Sequence, residues 1–334
     1  MESFDYLRAA TVEGAVQTLA GGSGAKCLGG GTNILDFMKL NVEAHPQLLD
    51  INHLHFNKIE SVAGAIRIGA GVRNSDLAYD SRILENFPVL SEALLAGATA
   101  QIRNMATVGG NLLQRTRCTY FRDPVWECNK RQPGSGCAAL EGDNHGHAIL
   151  GVSKLCIATH PSDMCVALAA LDAIVEVQGP QAKRRIPIGD FHVAYGENPA
   201  VETTLKPDEL ILAVELPLQP LYRNSHYLKV RERNSFAFAL SAAAVALEIK
   251  ADRIVTARVA LGGVATKPWR SSAAEQALVG QPVGEKTYAA AARAAVKGAQ
   301  PQKDNGFKVD LIQRTICRAL MTLEQRLAKT AAGV

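Results

Sequence analysis

The sequence predicts an α+β chain built as two units, and three observations carry that prediction. With 334 residues, 47% hydrophobic and 20% charged, the chain can bury more than one core at about 150 residues per unit. Short apolar runs of strand character are interleaved with longer runs of helical period, separated by Gly- and Asn-containing turns. A break at residues 217–226, carrying Pro217, Pro220 and Asn224, precedes a stretch of strands followed by alanine-rich helices. These place the first unit at 1–220 and the second, a separate α+β domain, at 225–332.

The elements follow in order. Thr11 suits the N-cap of a helix over 11–21 that Gly21 ends. Lys26-Cys27-Leu28 reads as a strand running into Gly29-Gly30-Gly31-Thr32-Asn33, after which Ile34, Leu35, Phe37, Met38 and Leu40 recur at helical spacing. Strands are expected at 48–51 and 66–70, helix over 75–97, and a second glycine turn at Gly109-Gly110-Asn111. Residues 115–147 hold Pro124, Pro133, Gly134, Gly136, Gly142 and Gly146 among few apolar runs. A loop of that length inside a compact unit calls for something to order it, such as a bound group. Helix returns over 162–173, with strands at 173–177 and 209–216. Past the break, strands fall near 227–232, 241–249 and 254–262, and helices near 271–279, 287–298 and 308–329.

Composition excludes several classes. The 36 basic and 32 acidic residues are dispersed and leave a net charge of only +4, which argues against a nucleic-acid partner. The absence of 18 consecutive apolar residues argues against a membrane span, and Met1 to Tyr6 lack the basic and apolar regions of an export signal. Seven cysteines are odd in number and too sparse for a disulfide framework, yet four fall between 118 and 156.

Consecutive glycines between a strand and a helix free backbone N–H groups to face a pyrophosphate, and Lys26 offers a counter-charge. The turn is neither a Walker A loop nor a Gly-x-Gly-x-x-Gly fingerprint, and alone it could be only a tight turn. A second anion-friendly turn, Thr107 to Asn111, could grip the other end of the same pyrophosphate, or be a plain β-turn. Ser162 and Asp163 open a helix, as a cap or with the Asp on a ribose hydroxyl. Cys118-x9-Cys128-x8-Cys137-x18-Cys156 lacks the paired knuckles of structural zinc and suits an iron–sulfur cluster, the alternative being four incidental thiols. Arg115, Arg117, Arg122, Lys130 and Arg131 either offset a thiolate-bound cluster or form a solvated loop face, while Cys27, Cys165 and Cys317 read as core residues. His145 and His147 lie near the cysteines and could ligate metal, but single polar loop histidines are usually not ligands, so they are left out of the expected set. No Gly-x-Ser-x-Gly, His-Glu-x-x-His or paired-carboxylate signature occurs, so hydrolytic chemistry of those kinds finds no support in this chain.

Three ordered motifs carry a family resemblance: Lys26-Cys-Leu-Gly-Gly-Gly-Thr-Asn-Ile-Leu-Asp36, Ile102-Arg-Asn-Met-Ala-Thr-Val-Gly-Gly-Asn111 and Pro161-Ser-Asp-Met164. Together with Tyr227 to Arg231 and Leu261 to Ala265, they resemble the flavin subunit of the molybdenum hydroxylases, the xanthine dehydrogenase and carbon monoxide dehydrogenase group. The cysteine loop, about 113–157, is similar to that of the flavin subunit of bacterial periplasmic aldehyde oxidoreductase, which carries an additional 4Fe-4S cluster. The resemblance implies a vanillyl-alcohol-oxidase/PCMH-type FAD-binding domain followed by a CO dehydrogenase flavoprotein C-terminal-like α+β domain. It implies that Lys26, Cys27, Leu28, Gly29, Gly30, Gly31, Thr32 and Asn33 wrap the FAD pyrophosphate, with Thr107, Gly110 and Asn111 completing the grip. Asp163 is implied on the ribose or adenine side, Ile211 and Lys229 at the flavin, and Cys118, Cys128, Cys137 and Cys156 on the 4Fe-4S cluster. Partners are implied as well: a small subunit with 2Fe-2S clusters, a large subunit with the molybdenum cofactor that oxidises aldehyde, and an external electron acceptor. Periplasmic location by co-export with a signal-bearing partner follows, cytoplasmic location being the alternative. A flavin subunit of a related hydroxylase or CoA-ester reductase, a stand-alone FAD oxidoreductase and a cysteine-stabilised binding module remain alternatives.

Overall fold

A computed structural model describes residues 1–331, so the expected end of the second unit at 332 lies outside them. Three strands, β1 (Asp5–Arg8), β2 (Ala25–Leu28) and β3 (Gln47–Asp50), form a parallel sheet in the order β1-β3-β2. The helix Val12–Ala20 joins β1 to β2, with the Thr11 hydroxyl accepting from Gly14 N at 3.0 Å and the chain turning at Gly21, as the sequence predicts. Strand β2 then delivers the chain straight into the first glycine turn and the helix Ile34–Lys39.

The second sheet is antiparallel throughout. Its strands β4 (Ile59–Val62), β5 (Ala65–Gly69), β6 (Ile174–Gln178), β7 (Lys183–Pro187) and β8 (Leu210–Pro217) lie in the order β4-β5-β8-β6-β7. The helical run expected over 75–97 is three helices, Asn74–Tyr79, Ser81–Asn86 and Pro88–Ala96. Asp80 is extended and caps the second, and Pro88 can open a helix but not continue one. The second glycine segment is not a β-turn but a one-turn helix, Val108–Leu112, because the Thr107 hydroxyl accepts from Gly110 N at 3.2 Å.

The cysteine loop is irregular apart from the helix Thr119–Arg122, yet the chain's own hydrogen bonds supply much of its order. Asn129 Oδ1 accepts from Gly134 N and Gly136 N, and Arg131 donates to the carbonyls of Tyr120, Phe121 and Trp126. From the far end of the chain, Asp304 N donates to Asn144 Oδ1, and Asn305 Nδ2 to His147 O and Ala148 O. The break at 217–226 is no free linker, since it holds the helix Pro220–Arg223 with Leu221 and Tyr222 buried.

The third sheet, β9 (Ser225–Val230), β10 (Ser241–Lys250), β11 (Arg253–Gly262) and β12 (Trp269–Arg270), is antiparallel in the order β12-β11-β10-β9. It is buried on both sides. Ala242, Ala244 and Ala246 of β10 belong to the core shared with the first two-thirds of the chain, while Ala243, Val245 and Leu247 face the second core. That second core is closed by the helices Ser272–Leu278, Glu285–Ala295 and Phe307–Ala331. The C-terminal unit is therefore contiguous in sequence but not set apart in packing, because small alanine side chains let the sheet lie close against its neighbour.

Candidate cofactor site

The site begins where the two glycine segments touch. A Cβ on Gly30 would sit 1.9 Å from Met105 O, and one on Gly29 would sit 2.9 Å from the Thr107 hydroxyl, while Gly31 has φ +73°. Only glycines let the first turn nest against backbone 105–107, so two motifs some 75 residues apart in sequence form one wall. Asn52 and Arg73 lock this junction. Asn52 Nδ2 donates to Gly29 O at 3.0 Å, and Arg73 donates to Met105 O and, at 3.1 Å, to Asn52 Oδ1. Sequence reasoning missed both residues, since neither lies in a motif and only the fold brings them to the turns.

Two clefts open from this wall. The first, about 700 Å³, is lined by Lys26, Cys27, Gly29, Gly30, Gly31, Thr32, Asn33, Thr107, Gly110 and Ile211. The second, about 1170 Å³, is lined by Thr32, Asn33, Gly110, Asn111, Asp163 and Lys229. Thr32, Asn33 and Gly110 line both, which makes the paired turns the ridge between them. Leu28 lines neither, and its carbonyl instead accepts from Ile51 N at 3.2 Å. Asn33 Nδ2 is buried at the ridge with no hydrogen-bond partner, although its Oδ1 accepts from Arg115 N. An unpartnered buried donor flanked by glycine backbone suits a ligand rich in acceptor oxygens.

Ile211 and Lys229, expected together at the flavin, stand in different clefts. Lys229 is instead held by Asp163, with Nζ 2.7 Å from Oδ2 and the two side chains 3% and 9% exposed. The other Asp163 oxygen accepts from Tyr227 OH at 2.6 Å, and burial pushes the Tyr227 hydroxyl well above its ordinary range. Ser162 performs the cap, its hydroxyl accepting from Cys165 N at 3.1 Å and donating to Asn111 Oδ1 at 2.6 Å. This leaves Asp163 free of the cap and aimed at the second cleft.

The four loop cysteines converge beside these clefts. Cys128 packs with Phe37, Val42 and Phe121, and Cys118 bridges that cluster to Cys156, Ala158 and Tyr195. Cys128 and Cys137 oppose each other across an antiparallel bridge. Backbone N–H groups of Tyr120 and Phe121 face the Cys118 sulfur, those of Ala139, Leu140 and Ile157 the Cys137 sulfur, and that of Ala158 the Cys156 sulfur. Burial pushes the Cys118 thiol up to about 12 and Cys156 up to about 11, so thiolates here need a compensating cation. A tetrahedral zinc with Zn–S near 2.3 Å would draw the sulfurs to about 3.8 Å. Among the described residues, the group whose ligand atoms all lie within 4.8 Å of one another is His160, Cys165 and His192, not the loop set. That group is poorly suited to a metal. His160 Nδ1 accepts from Ser162 N, which leaves the neutral ring's proton on Nε2, the atom a metal would need. His147 Nε2 lies 3.2 Å from Cys118 Sγ, and burial lowers its pKa to about 4, keeping the ring neutral.

Comparison with known proteins identifies the family of the chain. Residues 2–219 match the FAD binding domain in molybdopterin dehydrogenase, and residues 226–323 match the CO dehydrogenase flavoprotein C-terminal domain. The chain belongs to the FAD-binding medium subunits of the molybdenum hydroxylase, or xanthine dehydrogenase, family. It is 50% identical over 324 residues to the aldehyde oxidoreductase FAD-binding subunit PaoB of Escherichia coli (strain K12), covering 96% of this chain and 98% of that protein. It is 26% identical over 280 residues to the carbon monoxide dehydrogenase medium chain of Afipia carboxidovorans, covering 83% and 80% of the two chains. A solved carbon monoxide dehydrogenase from Hydrogenophaga pseudoflava superposes with a TM-score of 0.77 at 25% identity, covering 97% of this chain and 98% of the other. The fold expected from the resemblance is the fold observed, and the chain is a flavoprotein subunit of an oxidoreductase. Among the described residues no helix is long and apolar enough to cross a membrane.

Proposed function

We propose that this chain is the FAD- and 4Fe-4S-bearing electron-transfer subunit of a molybdenum-dependent aldehyde oxidoreductase. It receives electrons released by aldehyde oxidation in a molybdenum-cofactor large subunit, by way of a 2Fe-2S small subunit, and hands them to an external acceptor. The observation that carries the cluster is the convergence of Cys118, Cys128, Cys137 and Cys156, with backbone donors on three of the sulfurs, in a loop too widely spaced for zinc knuckles. The name and 50% identity of the Escherichia coli relative support the aldehyde. Export of the folded complex to the periplasm with a signal-bearing partner completes the proposal, and fractionation of cells tests it.

Bound FAD supplies exchange of electrons between one- and two-electron partners. The chain's own part is to hold and surround it. Gly29 to Asn33, with Thr107, Gly110 and Asn111, present the backbone and the free Asn33 amide to the pyrophosphate at the ridge, leaving the two halves of the molecule to the two clefts. Lys26 adds positive charge in the first cleft, and the Asp163–Lys229 pair presents a fixed dipole to the second. The test is an anaerobic absorption spectrum of the purified chain with flavin extraction and iron and acid-labile sulfide assays. About one FAD with four irons and four sulfides per chain is expected. Zinc without flavin would overturn the proposal.

A further inference from the structure

Between the cysteines and the first cleft stands a buried ammonium, Lys130, one of the five basic residues that surround the cysteines in sequence and not part of a solvated loop face. Lys130 follows Cys128 by two residues, in a turn closed by Arg131 N and Gln132 N donating to Cys128 O at 3.0 and 2.8 Å. Its side chain is 1% exposed, with Nζ 2.7 Å from Glu202 Oε1 and donating to Pro199 O at 2.9 Å. The same Nζ lies 3.5 Å from the centre of the Tyr195 ring, and Tyr195 packs against Cys156 and Cys118. Lys130, Tyr195 and Glu202 also line the first cleft, so ammonium and ring form the partition between cleft and cysteines.

Packing alone does not call for a charge at this place. Burial of an ammonium is costly, and a methionine would fill the same volume. Glu202 does not need it either, since Arg115 Nε already stands 2.7 Å from Glu202 Oε2 while the other face of that guanidinium meets Glu43 at 2.5 Å. What the charge does face is the Tyr195 ring, its centre 3.5 Å from Nζ, and that ring packs against Cys156 and Cys118. In a low-dielectric wall, a fixed positive charge stabilises whichever neighbouring state carries the extra negative charge.

We propose that Lys130 is a tuning residue whose charge raises the reduction potential of the iron–sulfur cluster held by Cys118, Cys128, Cys137 and Cys156. The inference rests on the cluster reading above. The step concerned is uptake of one electron by the cluster, supplied by dithionite in a titration, with no proton or bond change at Lys130.

The test is a stepwise anaerobic dithionite titration of the full chain, following the low-temperature electron paramagnetic resonance signal of the reduced cluster. For Lys130→Met, the ratio of oxidised to reduced cluster at the wild-type midpoint is expected to rise at least tenfold, which is 59 mV for a one-electron couple. Glu202→Gln removes the neighbouring negative charge and is expected to move the midpoint the other way, and Lys130→Arg to restore it. A ratio within threefold of wild type in Lys130→Met, or shifts of the same sign in Lys130→Met and Glu202→Gln, would overturn the inference. Should Lys130→Met lose the cluster, the sign of Glu202→Gln and the midpoint of Lys130→Arg decide. Absence of iron and sulfide from the wild-type chain would instead remove the cluster reading itself, whereas a retained cluster with an unmoved potential removes only the role of Lys130.

Discussion

At the scale of single residues, the decisive contact is the missing side chain of Gly30. Met105 O occupies the space its Cβ would need, at 1.9 Å, and both partners are backbone, so neither can turn aside. Gly30→Ala is therefore expected to push the two glycine segments apart, costing about 1–3 kcal/mol in stability or more. The damage falls on the ridge that both clefts share, so FAD recovered per chain should drop several-fold. Gly189→Ala is the matched control, because nothing lies within 4 Å of its Cβ. Equal flavin content in the two variants would show that the junction does not hold the cofactor. The glycine motif was legible in sequence because consecutive glycines before an apolar-periodic segment are a local signal. Its partners Asn52 and Arg73 were not, since each matters only through neighbours far along the chain.

At the scale of elements, what the sequence displayed well were the caps and the buried strands. Thr11 and Ser162 cap the helices expected of them, because an N-cap is a bond to a residue three positions on and needs no tertiary context. Strands β1, β4 and β7 passed unseen for the opposite reason. Each lies at the edge of its sheet, and their sequences Asp-Tyr-Leu-Arg, Ile-Glu-Ser-Val and Lys-Arg-Arg-Ile-Pro carry charge in place of clean apolar alternation. Ser162 is the cap with the widest consequence, since its hydroxyl also satisfies the buried Asn111 oxygen. Ser162→Ala removes both bonds at once. A loss of about 1–2 kcal/mol is expected in denaturant unfolding. Ser162→Thr keeps the hydroxyl and should recover most of it. If alanine and threonine destabilise equally, the loss comes from packing at this site and not from the cap.

At the scale of the whole molecule, the long C-terminal helix reaches back to order the cysteine loop through one buried amine. Lys308 Nζ donates to Gly146 O, His147 O and Gly263 O, tying loop, helix and the end of β11 at a single point. Burial lowers the pKa of this amine from 10.5 to about 7 in the folded protein. Between those two values the unfolded chain binds more protons at this position than the folded one. The burial penalty is thus full below about pH 7 and shrinks as pH rises towards 10.5, with a slope of up to about 1.4 kcal/mol per pH unit. Buried thiols such as Cys165, raised to about 12, pull the opposite way above pH 9, so the difference between wild type and Lys308→Met isolates the amine. Over pH 7 to 9 the stability of wild type relative to Lys308→Met should increase with pH. A difference that stays flat across this range would mean that the three carbonyls hold Lys308 charged in the folded state. The joint between loop and helix would then be an ion held by carbonyl dipoles, and high pH would loosen the cysteine loop where the present sign says it tightens.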